Sequence, residues 1–528
     1  MQQDRITINA GLKEAPIATP WGFPALQYAT IYKNRLNSLR PSLVAEASKK
    51  WPTAPIADDL LEVSVSLSDY LEEMSLSPDV ADRKKEQLKA IEDRAMNLSN
   101  ALQNGERIVI IGTLFKPAAA VSFLDEYSKL LNISIPSFPV RSAIHEEDEL
   151  ILEDDRSSIS ILPSEDFSSV EWTNGFVVAL YGCLQDEKFE VYDYALPGIP
   201  PLRSPVNACP LSSPVEDDLY VAFCSRLAVN SNSINHGAAL NSFKDWITGI
   251  VPNKELPDPS KISHLFVAGN TLIAPEETPE GLDTLKKALN RYEAFEKLIY
   301  PCLDADEYLA DLASSLPTII IPGKSDPTNY SYPQQPIPKI VLQKAADAGA
   351  IFAHNPCVFG IGGSLISGTD GSNVADVVSQ TELTDIQALE RILESRIMFP
   401  TAPETLDFYP GDKKDFLTIK TAPNIFFSGR SDETSYKIVN TSVTGKFNPA
   451  ETITETNETE QDLKGRCLLL NIPSFLKSKS IALVNMKTLE VHTYVFGQPE
   501  NDNFVAKIEE DTIQFDEEHD GEDDFAVD

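Results

Sequence analysis

Apolar and polar positions change their rhythm twice along this chain. Residues 23–51 carry Leu26, Tyr32, Leu36 and Leu39 at roughly helical spacing, until Pro41 is expected to interrupt the helix. A second helical stretch, 78–104, is richly charged and stops at Gly105, a residue suited to ending helices. The texture then turns to short β-branched runs. ERIVIIGTLFK (106–116), residues 156–162, GFVVALYGC (175–183) and FEVYDYA (189–195) read as strands, the last two forming a hairpin through Gln185-Asp186-Glu187-Lys188. With one helix expected at 117–131, this is the pattern of a small five-stranded barrel of the OB type.

The Pro-rich segment LPGIPPLRSPVNACPLSSP (196–214) reads as a linker or an ordered crossing between domains. Beyond it, short apolar runs at 220–224, 265–268 and 318–321 alternate with helical stretches, which is the α/β pattern. One helix is expected over 283–300, with Leu285, Leu289, Tyr292, Phe295 and Ile299 on one face. Another is expected over 383–399, with Asp385 as its N-cap. Strands return at 424–427, 467–472 and 481–485, and the cluster Gly360-Ile361-Gly362-Gly363 reads as a tight turn. The chain therefore divides into a flexible N-terminus (1–22), a helical segment (23–104), an OB domain (105–197), a linker (198–214) and an α/β domain (215–498). A mobile surface insertion is expected near 441–462, and an acidic disordered tail at 499–528.

Charge narrows the function classes. The formal net charge is −36, and the last twenty residues hold eleven acids with no Lys or Arg, so most of the acidity belongs to the body. Residues 105–197 carry six Lys or Arg against seventeen Asp or Glu. Nucleic-acid binders ordinarily show a basic footprint, so the barrel reads as a protein-docking module and little direct nucleic-acid binding is expected. The six cysteines include no Cys-x-x-Cys pair, which excludes an ordinary zinc ribbon and argues against a disulfide framework. With no signal-like N-terminus and no apolar run near eighteen residues, a soluble, intracellular protein without membrane attachment is expected. His145 and His354 stand alone and read as structural or solvent-facing.

The most informative words lie at 319–338, IIIPGKSDPTNYSYPQQPIP. Three Ile deliver a buried strand to a Pro-Gly loop, and ligands in open α/β sheets bind at such carboxyl ends. This loop resembles the one that carries an Asn-His pair in calcineurin-like phosphoesterases, enzymes whose two metals stand about 3.5–4 Å apart. Here Gly323 is followed by Lys324 and Ser325. The other loops depart in the same way. The first should end in Asp-x-His and has Ser225-Arg226-Leu227; the second should offer Gly-Asp and has Gly269-Asn270; the last should be Gly-His-x-His and has Gly429-Arg430-Ser431-Asp432. Ser225, Leu227, Asn270, Lys324, Ser325, Arg430 and Asp432 are thus expected to mark a degenerate site, with no catalytic residue, no metal and no cofactor.

Several words together resemble the small (B) subunits of eukaryotic DNA polymerase delta. They include Gln27-Tyr28-Ala29, Gly112-Thr113-Leu114-Phe115-Lys116, Asn355-Pro356, Gly368-Thr369-Asp370-Gly371-Ser372-Asn373 and Pro400-Thr401-Ala402-Pro403-Glu404. The signature loop is Gly323 with Asp326-Pro327-Thr328-Asn329 and Gln334-Gln335-Pro336. The resemblance implies an α/β plus β-barrel protein: a helical segment, an OB barrel, and a two-sheet phosphoesterase-like sandwich lacking its metal site. It implies a non-catalytic nuclear scaffold in DNA replication and repair. The expected partners are the cysteine-rich C-terminal domain of the catalytic subunit and a third subunit that contacts PCNA. That family's small subunit is also implicated in polymerase zeta, and the small subunits of polymerases alpha and epsilon share the architecture. Two readings from other classes stand beside it: a phosphoesterase or nuclease with an unconventional metal site, and an OB-type single-strand binder.

Overall fold

Strands β1 (Ile108–Phe115), β2 (Leu150–Glu153), β3 (Ser158–Leu162), β4 (Val177–Gln185) and β5 (Lys188–Ala195) close into a barrel in the order β1-β2-β3-β5-β4. The computed structural model describes residues 29–64, 70, 95–102, 104–117, 144, 148–164, 166–185, 188–202, 219–231, 233–251, 257–272, 291–361, 363–409, 415, 417–441 and 465–497. All barrel pairings are antiparallel except β3 with β5. Ile108, Ile110, Val178, Leu180 and Phe189 fill the interior. Their neighbours Val109, Ile111, Val177 and Ala179 are buried too, under helix α1 (Ala29–Lys50). Burial on both faces is why β1 reads as an unbroken apolar run rather than an alternation.

Helix α1 corrects one expectation, because it runs straight through Pro41. Leu36, Leu39, Leu43 and Ala47 form a stripe spanning the proline and pack on the barrel. Their burial, about 1.5–3 kcal/mol for each leucine, outweighs the roughly 3 kcal/mol of an interior proline. The short strand β2, four residues long, is an addition to the strands expected. Of the helical stretch expected at 78–104 only its last part is described, and Leu98 and Ala101 there join the barrel core. The helix expected at 117–131, His145, Cys209, nearly all of the 441–462 insertion, and the segments 1–22 and 499–528 lie outside the described residues.

The α/β part stacks two sheets. One has the order β16-β15-β6-β7-β8-β9, built from β6 (Tyr220–Ser225), β7 (Ile262–Ala268), β8 (Thr318–Ile321), β9 (Ile351–Phe352), β15 (Ser480–Asn485) and β16 (Val491–Val495). The other has the order β10-β11-β12-β14-β13, built from β10 (Cys357–Ile361), β11 (Ser364–Thr369), β12 (Ile425–Ser431), β13 (Ser435–Asn440) and β14 (Arg466–Pro473). Phe223 and Phe266 stack at 5.1 Å, and Phe427 from the facing sheet lies 5.3 and 5.6 Å from them. Helices α2 (Ile234–Ile247) and α3 (Arg291–Ser315) cover the outer face of the six-stranded sheet through Phe243, Trp246, Leu309 and Leu312. Helices α4 (Ser372–Gln380) and α5 (Asp385–Ser395) cover the other sheet through Val377, Leu389 and Leu393.

Three local expectations change. Helix α3 continues past Tyr300 and Pro301 to Ser315, because Leu309 and Leu312 extend its buried face. The N-cap of α5 is Thr384, whose backbone N–H donates to Gln387 Oε1 at 2.9 Å, so Asp385 is the first helical residue. The edge and hairpin strands β9, β10, β11, β13 and β16 add to those expected; being short or half-exposed, they lack a clear apolar run. The glycine cluster is the β10–β11 turn, with Ile361 paired to Ser364 and Gly363 at φ +87°.

Barrel and sandwich share one continuous apolar cluster, which takes in Trp172 and Phe176 as well as Phe399 and Leu393. Arg391 lies 4.2 Å over the Trp172 ring. Arg35, fully buried, reaches from α1 to pair with Asp415 at 3.0 Å and to donate to the Pro400 carbonyl at 3.2 Å. The start of the Pro-rich segment is an ordered crossing: Gly198 O accepts from Arg396 Nε at 2.6 Å.

Candidate functional site at the carboxyl strand ends

Strands β6, β7 and β8 run parallel, as do β11 and β12, so their carboxyl ends gather five loops at one rim of the sandwich. Close approach there demands special backbone. Gly269 and Gly371 have φ +70° and +94°, and a Cβ on Gly371 would stand 1.9 Å from Gly429 O. Arg226, Asn270 and Arg430 adopt φ of 50–62° without being glycine. Such strained non-glycine positions cluster where the surrounding structure over-determines them.

The residues singled out in the sequence divide by what they touch. Ser225 is buried, and its Oγ accepts from the Arg430 backbone N–H at 2.6 Å. Leu227 is fully buried in the core beneath α2. Asn270 is buried, and its Oδ1 accepts from Ser325 N at 3.2 Å and Ser325 Oγ at 3.0 Å. Gly323 sits so close that a Cβ would meet Asn270 Oδ1 at 2.3 Å. Lys324 and Arg430 are exposed, and both line a cavity of about 270 Å³. Asp432 faces solvent and accepts from Lys477 Nζ at 2.9 Å.

The signature loop holds itself together. Thr328 Oγ1 donates to Gln335 O at 2.6 Å, Asn329 Oδ1 accepts from Gln335 N at 2.7 Å, and Gln334 Nε2 donates to Asn329 O at 3.0 Å. Pro327 and Pro336 carry the chain through this knot, which pins the end of β8 beside β9: Gln334 N donates to Asn355 O at 2.8 Å. Its residues build a support, not a reactive surface.

Two carboxylates stand at this rim that were not among the degenerate-site residues. Asp326 and Asp370 are both buried, and burial is the main cause that raises each pKa, that of Asp326 to about 7. Each is occupied locally. Asp326 accepts from the Gly323 and Leu272 amides at 2.8 and 3.1 Å. Asp370 accepts from Asn355 Nδ2 at 2.8 Å and Ser372 Oγ at 2.5 Å. The signal for Asp370 was present in Gly368-Thr369-Asp370-Gly371-Ser372, a polar, glycine-flanked word directly after an apolar strand.

A dinuclear metal does not fit this rim. Asn270, where a bridging carboxylate would be expected, is a neutral amide already engaged by Ser325, and two cations stand at the mouth. Among the described residues no group of three or more His, Cys, Asp or Glu is placed to hold a metal ion. Cys224, Cys302, Cys357 and Cys467 are buried, and Cys183 is half-buried. Among the described residues no helix is long and apolar enough to cross a membrane.

Comparison with known proteins gives concordant matches in chain order. A family model described as DNA polymerase delta subunit OB-fold domain matches residues 27–194, and one described as the B-subunit of DNA polymerase alpha/epsilon matches residues 221–437. The chain is 28% identical over 403 residues to the DNA polymerase delta small subunit of Arabidopsis thaliana, covering 75% of this chain and 83% of that one. It is 29% identical over 401 residues to the same-named protein of Oryza sativa subsp. japonica (75% and 85%). It is 28% identical over 392 residues to the DNA polymerase delta subunit 2 of Drosophila melanogaster (74% and 83%).

Proposed function

The chain belongs to the B-subunit family of DNA polymerases, and from that premise we propose that it is the non-catalytic scaffold subunit of a replicative polymerase delta, working in the nucleus in DNA replication and repair. The observation that carries this reading is the tandem match: the delta OB-fold model falls on α1 and the barrel, and the alpha/epsilon B-subunit model falls on the sandwich. The delta-specific barrel model favours delta over the alpha and epsilon siblings, and the same scaffold would serve polymerase zeta.

The rim residues support a phosphoesterase-like sandwich that has lost its chemistry. Ser225, Asn270, Ser325 and Arg430 tie the loop ends to one another by hydrogen bonds, so positions that would hold metals hold the fold instead. Lys324 adds positive charge where dications would need anionic ligands. An acidic body is suited to basic protein partners. The partners we assign are the cysteine-rich C-terminal domain of the catalytic subunit and a third, PCNA-contacting subunit.

The barrel has one aromatic, cationic face, yet its cations are already engaged. Trp51 stacks on Tyr181 at 5.1 Å, Lys50 pairs with Asp193 at 2.6 Å, and Arg107 covers the Tyr192 ring at 4.2 Å. That arrangement supports protein docking over strand binding.

The decisive experiment is affinity capture of the full chain from its own cells, read by mass spectrometry. Co-purification of a polymerase delta catalytic chain and a PCNA-binding subunit is expected; capture of neither sinks the reading. In parallel, purified protein with Mn²⁺ should show no turnover of bis-p-nitrophenyl phosphate or single-stranded DNA above a matched blank.

A further inference from the structure

Two cations at the strand-end rim have no established role. Lys324 follows β8 and Arg430 lies near the end of β12, so they come from opposite sheets and meet at the same cavity. Among the described residues neither the Lys324 ammonium nor the Arg430 guanidinium makes a hydrogen bond or an ion pair, although Arg430 is near enough to Asp370 to act on its charge. Both presentations are built. The Arg430 backbone is bent to φ 62° and fixed by Ser225 Oγ, and the residue after Lys324 is clamped by Asn270.

Two acids, Asp376 and Asp407, line the same cavity, and among the described residues neither makes an ion pair with Lys324 or Arg430. Asp370 and Asp326 are buried and held by their own donors. Asp376 Oδ2 accepts from Thr405 Oγ1 at 2.6 Å and Gln380 Nε2 at 3.2 Å, and also from Thr401 Oγ1. Asp407 is the remaining carboxylate on the lining. Ser372, the first residue of α4, also lines the cavity, with its N–H and hydroxyl given to Asp370.

We propose that this cavity binds the phosphate group of a small phosphate ester between Lys324 and Arg430. Two charge-assisted donors from a rigid frame suit a compact dianion. The volume of about 270 Å³ lies at the small end of ligand pockets, which favours a phosphate with a small organic part. The fixed positive charges give the site an affinity for phosphate, and among the described residues no group of three or more His, Cys, Asp or Glu stands beside them to hold a metal ion.

Isothermal titration calorimetry on the full-length protein tests this with inorganic phosphate, deoxyadenosine monophosphate and an oligonucleotide lacking terminal phosphates. The first two probes are expected to bind in competition with each other. Lys324→Gln and Arg430→Gln should each weaken binding about tenfold, the loss of one charge-assisted contact, whereas Lys339→Gln, an exposed cation outside the cavity, should not. Both altered side chains are exposed, and an unchanged melting temperature verifies that the variants are folded. Absence of binding at roughly ten-millimolar phosphate probe overturns the proposal. So does binding that both variants leave intact, or binding of the oligonucleotide alone, which would make the cavity a DNA-backbone contact.

Discussion

At the scale of single residues, the rim is governed by burial. Asp326 is pushed up to about 7 from an ordinary 3.8, first by loss of solvation and further by the charge of Asp370. The folded chain keeps a proton on this group that the unfolded chain releases between those values. Its contribution to stability is therefore complete below 3.8 and is lost as pH rises through 7. Asp326→Asn should flatten the fall in melting temperature between pH 4 and 7, leaving a remainder of the same sign from Asp370. Parallel slopes for the two proteins would mean that Asp326 is ionised in the fold. Gly371 makes a second case: with φ +94° and a Cβ site 1.9 Å from a carbonyl oxygen, Gly371→Ala should lower stability by about 1–3 kcal/mol or more in chemical denaturation.

Helix α1 shows how an element draws its stability from what it covers. Pro41 sits on its exposed side while Leu36, Leu39 and Leu43 are buried. Pro41→Ala restores a helical N–H without disturbing that face, and stability should rise by about 1–3 kcal/mol. The same helix ties the barrel to the sandwich through Arg35, whose Nε pairs with Asp415 where neither side chain is exposed beyond 1%. Removing one partner of a buried pair strands the other, so Arg35→Met should cost about 3–5 kcal/mol. A loss below roughly 1 kcal/mol, the range of exposed pairs, would show that the joint is carried by apolar contact alone.

For the whole molecule, charge sets the terms of encounter. With a formal net charge of −36, the isolated chain should bind single-stranded DNA no more tightly than the roughly 10⁻⁴–10⁻⁶ M of non-specific contacts at physiological salt. A salt-sensitive nanomolar constant in fluorescence anisotropy would contradict this and point to the Lys50–Arg107 face of the barrel. Residues 509–528, eleven of them acidic and few apolar, lie outside the described residues. Deleting them should leave the melting temperature unchanged and the capture of the two proposed partner subunits intact.

Much was legible in the linear chain. Strands β6, β7 and β8 lie where the apolar runs stood, because strands covered on both faces are continuous in hydrophobicity and bounded by polar loops. The thinning of metal ligands in the four strand-end words, where only Asp432 remains, was equally plain, since ligand chemistry is a property of residue type. What only the tertiary structure decided depends on contacts distant in sequence. Pro41 could not be read as a helical residue until the barrel surface under Leu39 and Leu43 was in place. Asp326 and Asp370, 44 positions apart, share a rim only after β8 and β11 stack from two sheets. Lys324 and Arg430 stand in separate words of the sequence, and one cavity joins them because parallel strands deliver their carboxyl ends to the same side.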